Sequence, residues 1–180
     1  MNKKWTLRRR DFLSYMVGSS IASIAMGYLF PKVSQGRELD LNTLCSWFPY
    51  NQRCENYLPG VEATDEKGEA IQVKALLATA TPEVPIAVKG LPDKSVDYLI
   101  IKAGPTIAEY AIRPICTHLG CTVEWNTQKN LFICPCHGSK YDPQGRVVHG
   151  PAKRSLPLLT VVVKQNQVRL VDIKPGIDPR

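Results

Sequence analysis

Short hydrophobic runs separated by polar turns dominate the chain after residue 80. Each run is rich in Val, Ile, Leu or aromatic residues, which suit a half-buried strand. Glycine and proline mark the intervals at Gly90–Asp93, Gly104–Pro105 and Pro143–Gly145. The pattern predicts a mainly β fold, a small antiparallel barrel or sandwich, with one short helical turn at Lys74–Ala80. The predicted strands are Ile86–Val88, Tyr98–Lys102, Ile107–Ile112, Thr122–Trp125, Leu131–Cys134, Leu158–Val163 and Gln167–Val171.

A longer uncharged stretch lies near the N-terminus, from Phe12 to Pro31. In a helix this stretch reaches roughly 30 Å, enough to cross the hydrocarbon core of a bilayer. Its serines and glycines also fit the apolar region of a cleaved export signal. Because no clean A-x-A cleavage site follows it, we favour an uncleaved transmembrane helix at 12–31.

Basic residues are concentrated ahead of this stretch. Residues 1–11 hold five basic residues and one acidic residue, so they supply +4 of the formal charge of +7. The body has no basic run interleaved with aromatic residues, and nucleic acid is therefore not an expected partner. The positive-inside rule places the N-terminus on the cytoplasmic or stromal side and the body on the lumenal or periplasmic side, in a thylakoid or plasma membrane. Arg9 and Arg10 resemble a twin-arginine export signal.

The length of 180 residues suits one domain with an appendage. The domain opens with an aromatic-rich segment in which Cys45 and Cys54 are candidates for a small disulfide loop outside the cytoplasm. We therefore divide the chain into a basic tail at 1–11, a transmembrane anchor at 12–31, a flexible linker at 32–40 and one domain at 41–180.

Two motifs concentrate the metal-binding chemistry, C-T-H-L-G-C at 116–121 and C-P-C-H-G-S-K-Y at 134–141. Each motif offers a cysteine and a histidine in close succession, so two loops meeting at their tips would give Cys₂His₂ coordination. Zinc accepts such ligands, and the spacing alone does not exclude it. A [2Fe–2S] cluster with mixed Cys/His ligands is the favoured interpretation, because zinc leaves Cys121 and Cys136 unexplained.

The two motifs, with twelve residues between Cys121 and Cys134, resemble those of the Rieske iron–sulfur subunits of cytochrome bc-type complexes. The resemblance covers roughly residues 70–172. The compact spacing and the Trp125–Asn126 pair are closest to the cytochrome b6-f branch. The resemblance implies a Rieske-type fold with a cluster-binding part at about 113–155. The aromatic Cys45–Cys54 segment is not typical of that branch and suggests a divergent paralogue.

The resemblance assigns one [2Fe–2S] cluster to four residues. Cys116 and Cys134 would bind the inner iron, and His118 and His137 the outer iron at the solvent edge. An imidazole bound through Nδ1 keeps Nε2 free for a quinol hydroxyl, so these histidines are also the candidate catalytic residues.

The resemblance further implies a disulfide between Cys121 and Cys136, a pair that ring-hydroxylating dioxygenases lack. The Ser139 hydroxyl would donate to a bridging sulfide and the Tyr141 hydroxyl to the sulfur of Cys116. Both hydrogen bonds would withdraw electron density and raise the reduction potential.

A docking face beside the histidines is implied for Leu119, Gly150 and Pro151, with the Gly150–Ala152 segment shielding the cluster. The chain departs from the family here, because Lys153 and Arg154 follow where a proline is often found. His149 lies outside any ligand spacing and is interpreted as a surface histidine.

The implied function is that of the iron–sulfur subunit of a quinol–cytochrome c or plastoquinol–plastocyanin reductase. Its expected partners are a cytochrome b-type subunit, cytochrome f or a c-type cytochrome, a quinol substrate and membrane lipid. Two alternatives remain at this point. One is the small Rieske subunit of an exported enzyme similar to arsenite oxidase, and the other is a structural zinc module.

Overall fold

Residues 39–180 are described by the computed structural model, and they form two antiparallel β-sheets with two short helices. The predicted tail at 1–11, anchor at 12–31 and most of the linker at 32–40 lie outside the described residues. Among residues 39–180, neither helix has the length and apolar character needed to cross a bilayer. The mainly β prediction is confirmed.

The larger sheet has six strands in the order β1-β10-β9-β4-β3-β2, each antiparallel to its neighbours. A two-residue turn, Gln165–Asn166, joins β9 to β10, and both residues have positive φ, as the tightest hairpin turns require. The strands are β1 Val61–Glu62, β2 Ile86–Val88, β3 Asp97–Lys102, β4 Thr106–Ile112, β9 Leu158–Lys164 and β10 Gln167–Val171.

The smaller sheet has four antiparallel strands in sequential order and carries both Cys/His motifs. Its strands are β5 Glu124–Asn126, β6 Leu131–Ile133, β7 Lys140–Tyr141 and β8 Val147–His149. All seven predicted strands are present within two residues of their expected bounds, whereas β1, β7 and β8 were not predicted. These three strands have only two or three residues each, too few for a clear alternation of hydrophobic and polar positions.

Alternation along the strands of the larger sheet creates two hydrophobic cores. In β4, Ala108, Tyr110 and Ile112 pack into one core, and Ala111 packs into the other, because successive strand residues face opposite sides of a sheet. We call the first the site core, since it includes Phe132 of β6. We call the second the base core. The larger sheet thus supports the motif-bearing sheet from below.

The described chain contains two short helices. Helix α1, Leu41–Trp47, begins at Asp40, whose carboxylate accepts a hydrogen bond from the Thr43 amide at 3.0 Å. Helix α2, Val73–Thr79, begins and ends one residue before the predicted helical turn at Lys74–Ala80. A disulfide joins Cys45 in α1 to Cys54 in a following 3-10 turn, Gln52–Cys54.

An ionic cluster lies where the chain enters the first motif. The guanidinium of Arg113 contacts the carboxylates of Asp172 at 3.1 Å, Asp93 at 3.6 Å and Asp97 at 3.7 Å. The Asp97 side chain is fully buried. Burial raises the pKa of Asp97 to about 6 from 3.8, and the Arg113 charge only partly opposes this shift. The buried carboxylate therefore makes the fold sensitive to pH.

We expect the Asp97→Asn variant to gain stability relative to wild type as the pH rises from about 4 to about 7. Folded Asp97 binds its proton more tightly than unfolded Asp97, so its contribution to wild-type stability is present below pH 4 and is lost as the pH passes 6. The relative gain should reach at most about 3 kcal/mol. The measurement is the difference in thermal unfolding midpoint across this range.

Asp93→Asn is the matched control. Hydrogen bonds from Ser95 lower the pKa of Asp93, so the control should lose stability relative to wild type as the pH rises, the opposite sign. A midpoint difference between wild type and Asp97→Asn that does not change with pH would contradict the prediction.

Candidate metal centre

The two motifs form hairpin loops with the same backbone hydrogen bonds. In the first loop, the Cys116 amide donates to the Cys121 carbonyl at 2.7 Å and the Gly120 amide donates to the Cys116 carbonyl at 2.9 Å. In the second loop, the Cys134 amide donates to the Ser139 carbonyl at 2.8 Å, and the Gly138 amide donates to the Cys134 carbonyl at 3.0 Å. Two copies of one loop geometry thus present a cysteine each.

Antiparallel pairing closes both loops at their bases. Ile115 pairs with Thr122 below the first loop, and Ile133 pairs with Lys140 below the second. Gly120 and Gly138 occupy equivalent positions with φ of +82° and +70°, a conformation that side chains rarely adopt. The recurring glycine in C-T-H-L-G-C and C-P-C-H-G-S is therefore required by the turn.

The four cysteines of the two motifs comprise two thiols and one disulfide. Cys121 and Cys136 are bonded to each other, which joins the two loops. Cys116 and Cys134 are free thiols and are buried. The sulfurs of Cys121, Cys134 and Cys136 lie within 4.8 Å of one another. Because two of those sulfurs are in the disulfide, Cys134 is the one of the three that is available to bind metal.

The two motif histidines lie at the outer edge of the loops. Their ring centroids are 4.9 Å apart and the rings are perpendicular. His137 is exposed and His118 is half-buried. Within residues 39–180, the buried Nδ1 of His118 has no hydrogen-bond partner. A buried polar atom without a partner is costly unless a ligand completes it.

Tyr141 links the first loop to the site core. Its hydroxyl lies 3.3 Å from the Cys116 sulfur, 3.3 Å from the Thr117 amide nitrogen and 3.4 Å from the Thr117 hydroxyl. Tyr141 itself is fully buried. The Thr117 hydroxyl also donates to the Arg154 carbonyl at 2.6 Å. The loop is thereby tied to the segment that follows β8.

Ser139 holds the Gly150–Ala152 segment against the second loop. The Ser139 hydroxyl is fully buried and accepts a hydrogen bond from the Ala152 amide at 3.2 Å. Gly150 has φ of +100°, and a Cβ there would lie 2.6 Å from the Cα of Ser139. Only glycine permits this approach.

The surroundings of Cys116 favour its thiolate. Burial opposes ionisation, but hydrogen bonds from Tyr141, the His118 backbone, Cys134 and Ser139 outweigh it and lower the pKa of the Cys116 thiol. Burial and the hydrogen bond to Cys116 raise the pKa of Tyr141, so its hydroxyl stays protonated as a donor. Thiolate is the form of cysteine that binds metal.

These donors fit a [2Fe–2S] cluster with mixed ligands. The two motif loops carry two buried thiols and two adjacent imidazoles, and the buried Nδ1 of His118 has no partner within the described part of the chain. A zinc module would use the same four donors. The contact between the Tyr141 hydroxyl and the Cys116 sulfur is of the kind that tunes the potential of a redox centre.

The other predicted site residues lie at the surface. Leu119 is 69% exposed at the tip of the first loop, and Gly150 and Pro151 are exposed. His149 is exposed in β8 and its backbone pairs with Lys140, as expected for a surface histidine.

Two structural residues near the site, Thr117 and Arg180, could not be found from the sequence. Thr117 was only an intervening residue of the first motif. The Arg180 guanidinium donates to the Leu156 carbonyl at 3.0 Å and pairs with Asp178 at 2.7 Å. Apart from the local Arg180–Asp178 pair, these contacts join residues 24 to 37 positions apart, so no local pattern could have revealed them.

Comparisons with known proteins agree with this geometry. Residues 91–165 match the Rieske [2Fe-2S] domain family. The cytochrome b6-f complex iron-sulfur subunit of Synechococcus sp. (strain WH7803) is 38% identical over 160 residues, which is 89% of this chain and 82% of the relative. That of Prochlorococcus marinus (strain NATL1A) is 34% identical over 180 residues, covering 97% of this chain and 93% of the relative.

Solved structures are also similar. The cyanobacterial plasma membrane Rieske protein PetC3 from Synechocystis PCC 6803 is 29% identical and matches 56% of this chain and 95% of its own, with a TM-score of 0.42. A chain of the hyperthermophilic respiratory Complex III is 22% identical and matches 86% of this chain and 98% of its own, with a TM-score of 0.41.

Two antiparallel sheets, two Cys/His hairpins joined by a disulfide and the match of residues 91–165 to the Rieske [2Fe-2S] domain family define a Rieske protein, which carries one [2Fe–2S] cluster. More particularly, the chain belongs to the family of cytochrome b6-f complex iron–sulfur subunits.

Proposed function

We propose that Cys116, His118, Cys134 and His137 hold the [2Fe–2S] cluster and that the chain is the electron-transfer subunit of a quinol-oxidising cytochrome complex. The observation that carries this proposal is the pair of matched hairpins, which carry two free buried thiols and two imidazoles whose ring centroids are 4.9 Å apart. Cys116 and Cys134 supply thiolates from the buried side. The histidines supply nitrogen ligands from the exposed side.

When bound, the cluster takes up and releases one electron at a time. The chain's own residues supply the proton chemistry. Since Nδ1 of His118 is the buried nitrogen without a partner in the described chain, it is the nitrogen that would bind the metal, and Nε2 would be left to accept a hydrogen bond from a quinol hydroxyl. His137 is exposed and can act in the same way. Either imidazole can then hold the proton that leaves the quinol.

The substrate and partners follow from the family. The proposed substrate is a plastoquinol-type quinol bound in a pocket shared with a cytochrome b-type subunit, which takes the second electron. The first electron passes on to cytochrome f or a c-type cytochrome. Leu119, Gly150 and Pro151, all exposed beside the loops, form the docking face. The relatives do not favour a small subunit of an enzyme similar to arsenite oxidase.

The remaining parts of the proposal concern the membrane. Residues 12–31 are the anchor, residues 1–11 stay on the cytoplasmic or stromal side, and residues 32–40 link the anchor to a domain on the lumenal or periplasmic side. The supporting observations are the uncharged stretch at 12–31 and the basic residues before it.

Purification of the intact complex in mild detergent tests the proposed function. We expect a b-type cytochrome and a c-type haem protein to copurify with the chain, and the complex to oxidise a plastoquinol analogue. Copurification with a molybdenum enzyme in the absence of cytochrome b would contradict the proposal.

Tyr141→Phe should lower the reduction potential of the cluster by roughly 50 mV, equivalent to about 1 kcal/mol for one electron. The Tyr141 hydroxyl lies 3.3 Å from the Cys116 sulfur, and its loss removes a donor that stabilises the more negative, reduced state. The measurement is a redox titration followed by EPR.

Tyr110→Phe is the matched control, because Tyr110 is also buried in the site core and makes no hydrogen bond to a motif cysteine among the contacts described. Its potential should match wild type. Equal potentials in Tyr141→Phe and wild type would show that the hydroxyl does not tune the cluster.

A further inference from the structure

A basic cleft lies beside the first motif loop and has no role in the proposed ligand set. Its cavity has a volume of about 610 Å³, and Thr117, the residue between Cys116 and His118, forms part of its wall. Apolar residues of the segment after β8, including Leu156 and Pro157, line it as well.

Positive charge predominates in this cleft. Lys153, Arg154, Lys174 and Arg180 line it together with a single acidic residue, Asp178. Arg180 is paired with Asp178 at 2.7 Å, and hydrogen bonds from Arg180 lower the pKa of that carboxyl to about 2. Asp178 therefore stays ionised, and Arg180 offsets its negative charge. Lys153, Arg154 and Lys174 are exposed, and no ion pair is described for them within residues 39–180.

The charge of the cleft is local and not a property of the whole domain. Residues 1–38 contain seven of the 23 basic and two of the 16 acidic residues. The described part of the chain therefore holds 16 basic and 14 acidic residues. A nearly balanced domain that places three basic side chains, unpaired within residues 39–180, and the Arg180–Asp178 pair around one cavity has a directional field there.

The cleft is connected to the cluster loop by a direct contact. The Thr117 hydroxyl donates to the Arg154 carbonyl at 2.6 Å and lies 3.4 Å from the Tyr141 hydroxyl. A partner that engages Arg154 is therefore held close to the metal ligands. Electron transfer benefits from such closeness, whereas recognition of a lipid headgroup or a free anion would not need it.

We propose that this basic cleft is a docking site for an acidic protein that accepts electrons from the domain. The partner would present carboxylates to Lys153, Arg154 and Lys174, and apolar side chains to the floor of the cleft. In the complex, one electron moves from the reduced protein to a ferric haem of the partner, which becomes ferrous, and no proton is transferred. The proposal rests on the proposed electron-transfer function and adds the charge of the acceptor.

Charge reversal in the full-length, cluster-loaded protein tests the proposal. The variant is Lys153→Glu/Arg154→Glu, held in nanodiscs and reduced chemically. The probe is an acidic soluble c-type cytochrome, whose reduction is followed by stopped-flow absorbance. At an ionic strength of about 20 mM, we expect the variant to react at least about 10-fold more slowly than wild type. The difference in rate should disappear at an ionic strength of about 0.5 M, where charges are screened.

Lys67→Glu/Lys74→Glu is the matched control with the same change in net charge. Both lysines are exposed, and helix α2, which contains Lys74, packs on the base core on the other side of the larger sheet. The control should react like wild type. The equilibrium affinity for the cytochrome, measured by calorimetry, should fall in the cleft variant and not in the control.

Three results would overturn the proposal. The first is an equal decrease in both variants, which would indicate only an effect of net charge. The second is a faster reaction of the cleft variant with the acidic cytochrome. The third is an unchanged cytochrome rate with a lost response to anionic lipid in the nanodisc, which would make the cleft a lipid-headgroup site. Since the cluster is reduced chemically, none of these results depends on quinol oxidation.

Discussion

His137→Asn is expected to abolish assembly of the [2Fe–2S] cluster, with a loss of nearly all iron and of the EPR signal of a mixed-ligand centre. The imidazole of His137 lies at the outer edge of the loops, 4.9 Å from that of His118 by ring centroid. An asparagine amide is a poor replacement for a nitrogen ligand, so one iron would lose half of its protein ligands. Iron analysis and low-temperature EPR of the purified chain measure the effect.

His149→Asn provides the control, because His149 is the remaining histidine and is also exposed. It makes the same chemical change outside the proposed ligand set. Iron content and EPR should match wild type. A His137→Asn protein that keeps its cluster, or a His149→Asn protein that loses it, would refute the ligand assignment.

The second large effect is expected for Cys121→Ser/Cys136→Ser. This disulfide joins two loops that are 15 residues apart in sequence, and loop closure of that size contributes about 3 kcal/mol in the chain-entropy description. The double variant should still bind the cluster but release it at least about 10-fold faster, because the loops can separate. Decay of the visible absorbance under mild heating or chelation gives the release rate.

Cys45→Ser/Cys54→Ser is the corresponding control. It removes the other disulfide, which joins α1 to the following 3-10 turn and lies outside the motif loops. The unfolding midpoint of each variant is measured first. Cluster release rates are then compared at temperatures the same number of degrees below each midpoint. Equal release rates in the two double variants would show that the Cys121–Cys136 bond has no specific effect on the cluster.

Much of the fold was predictable because its signals are local. Strand β10 was predicted with its observed bounds, Gln167–Val171, since alternating apolar residues between turns specify a strand whatever it packs against. Helix α1, Leu41–Trp47, was missed, and it is held by the Asp40 cap and the Cys45–Cys54 disulfide. A helix this short depends on its surroundings more than on its own propensity.

The sequence by itself determined the class of the fold and the two Cys/His motifs. Residue type and spacing along the chain are enough for each of these features. Only the tertiary structure decided how the motifs are supported. The chain of contacts from Cys116 through Tyr141 and Thr117 to Arg154 joins residues up to 37 positions apart. The hydrogen bond from Arg180 to the Leu156 carbonyl joins residues 24 positions apart, in a cleft built from separate segments. Such contacts follow from how sheets stack, and spacing in the sequence does not encode them.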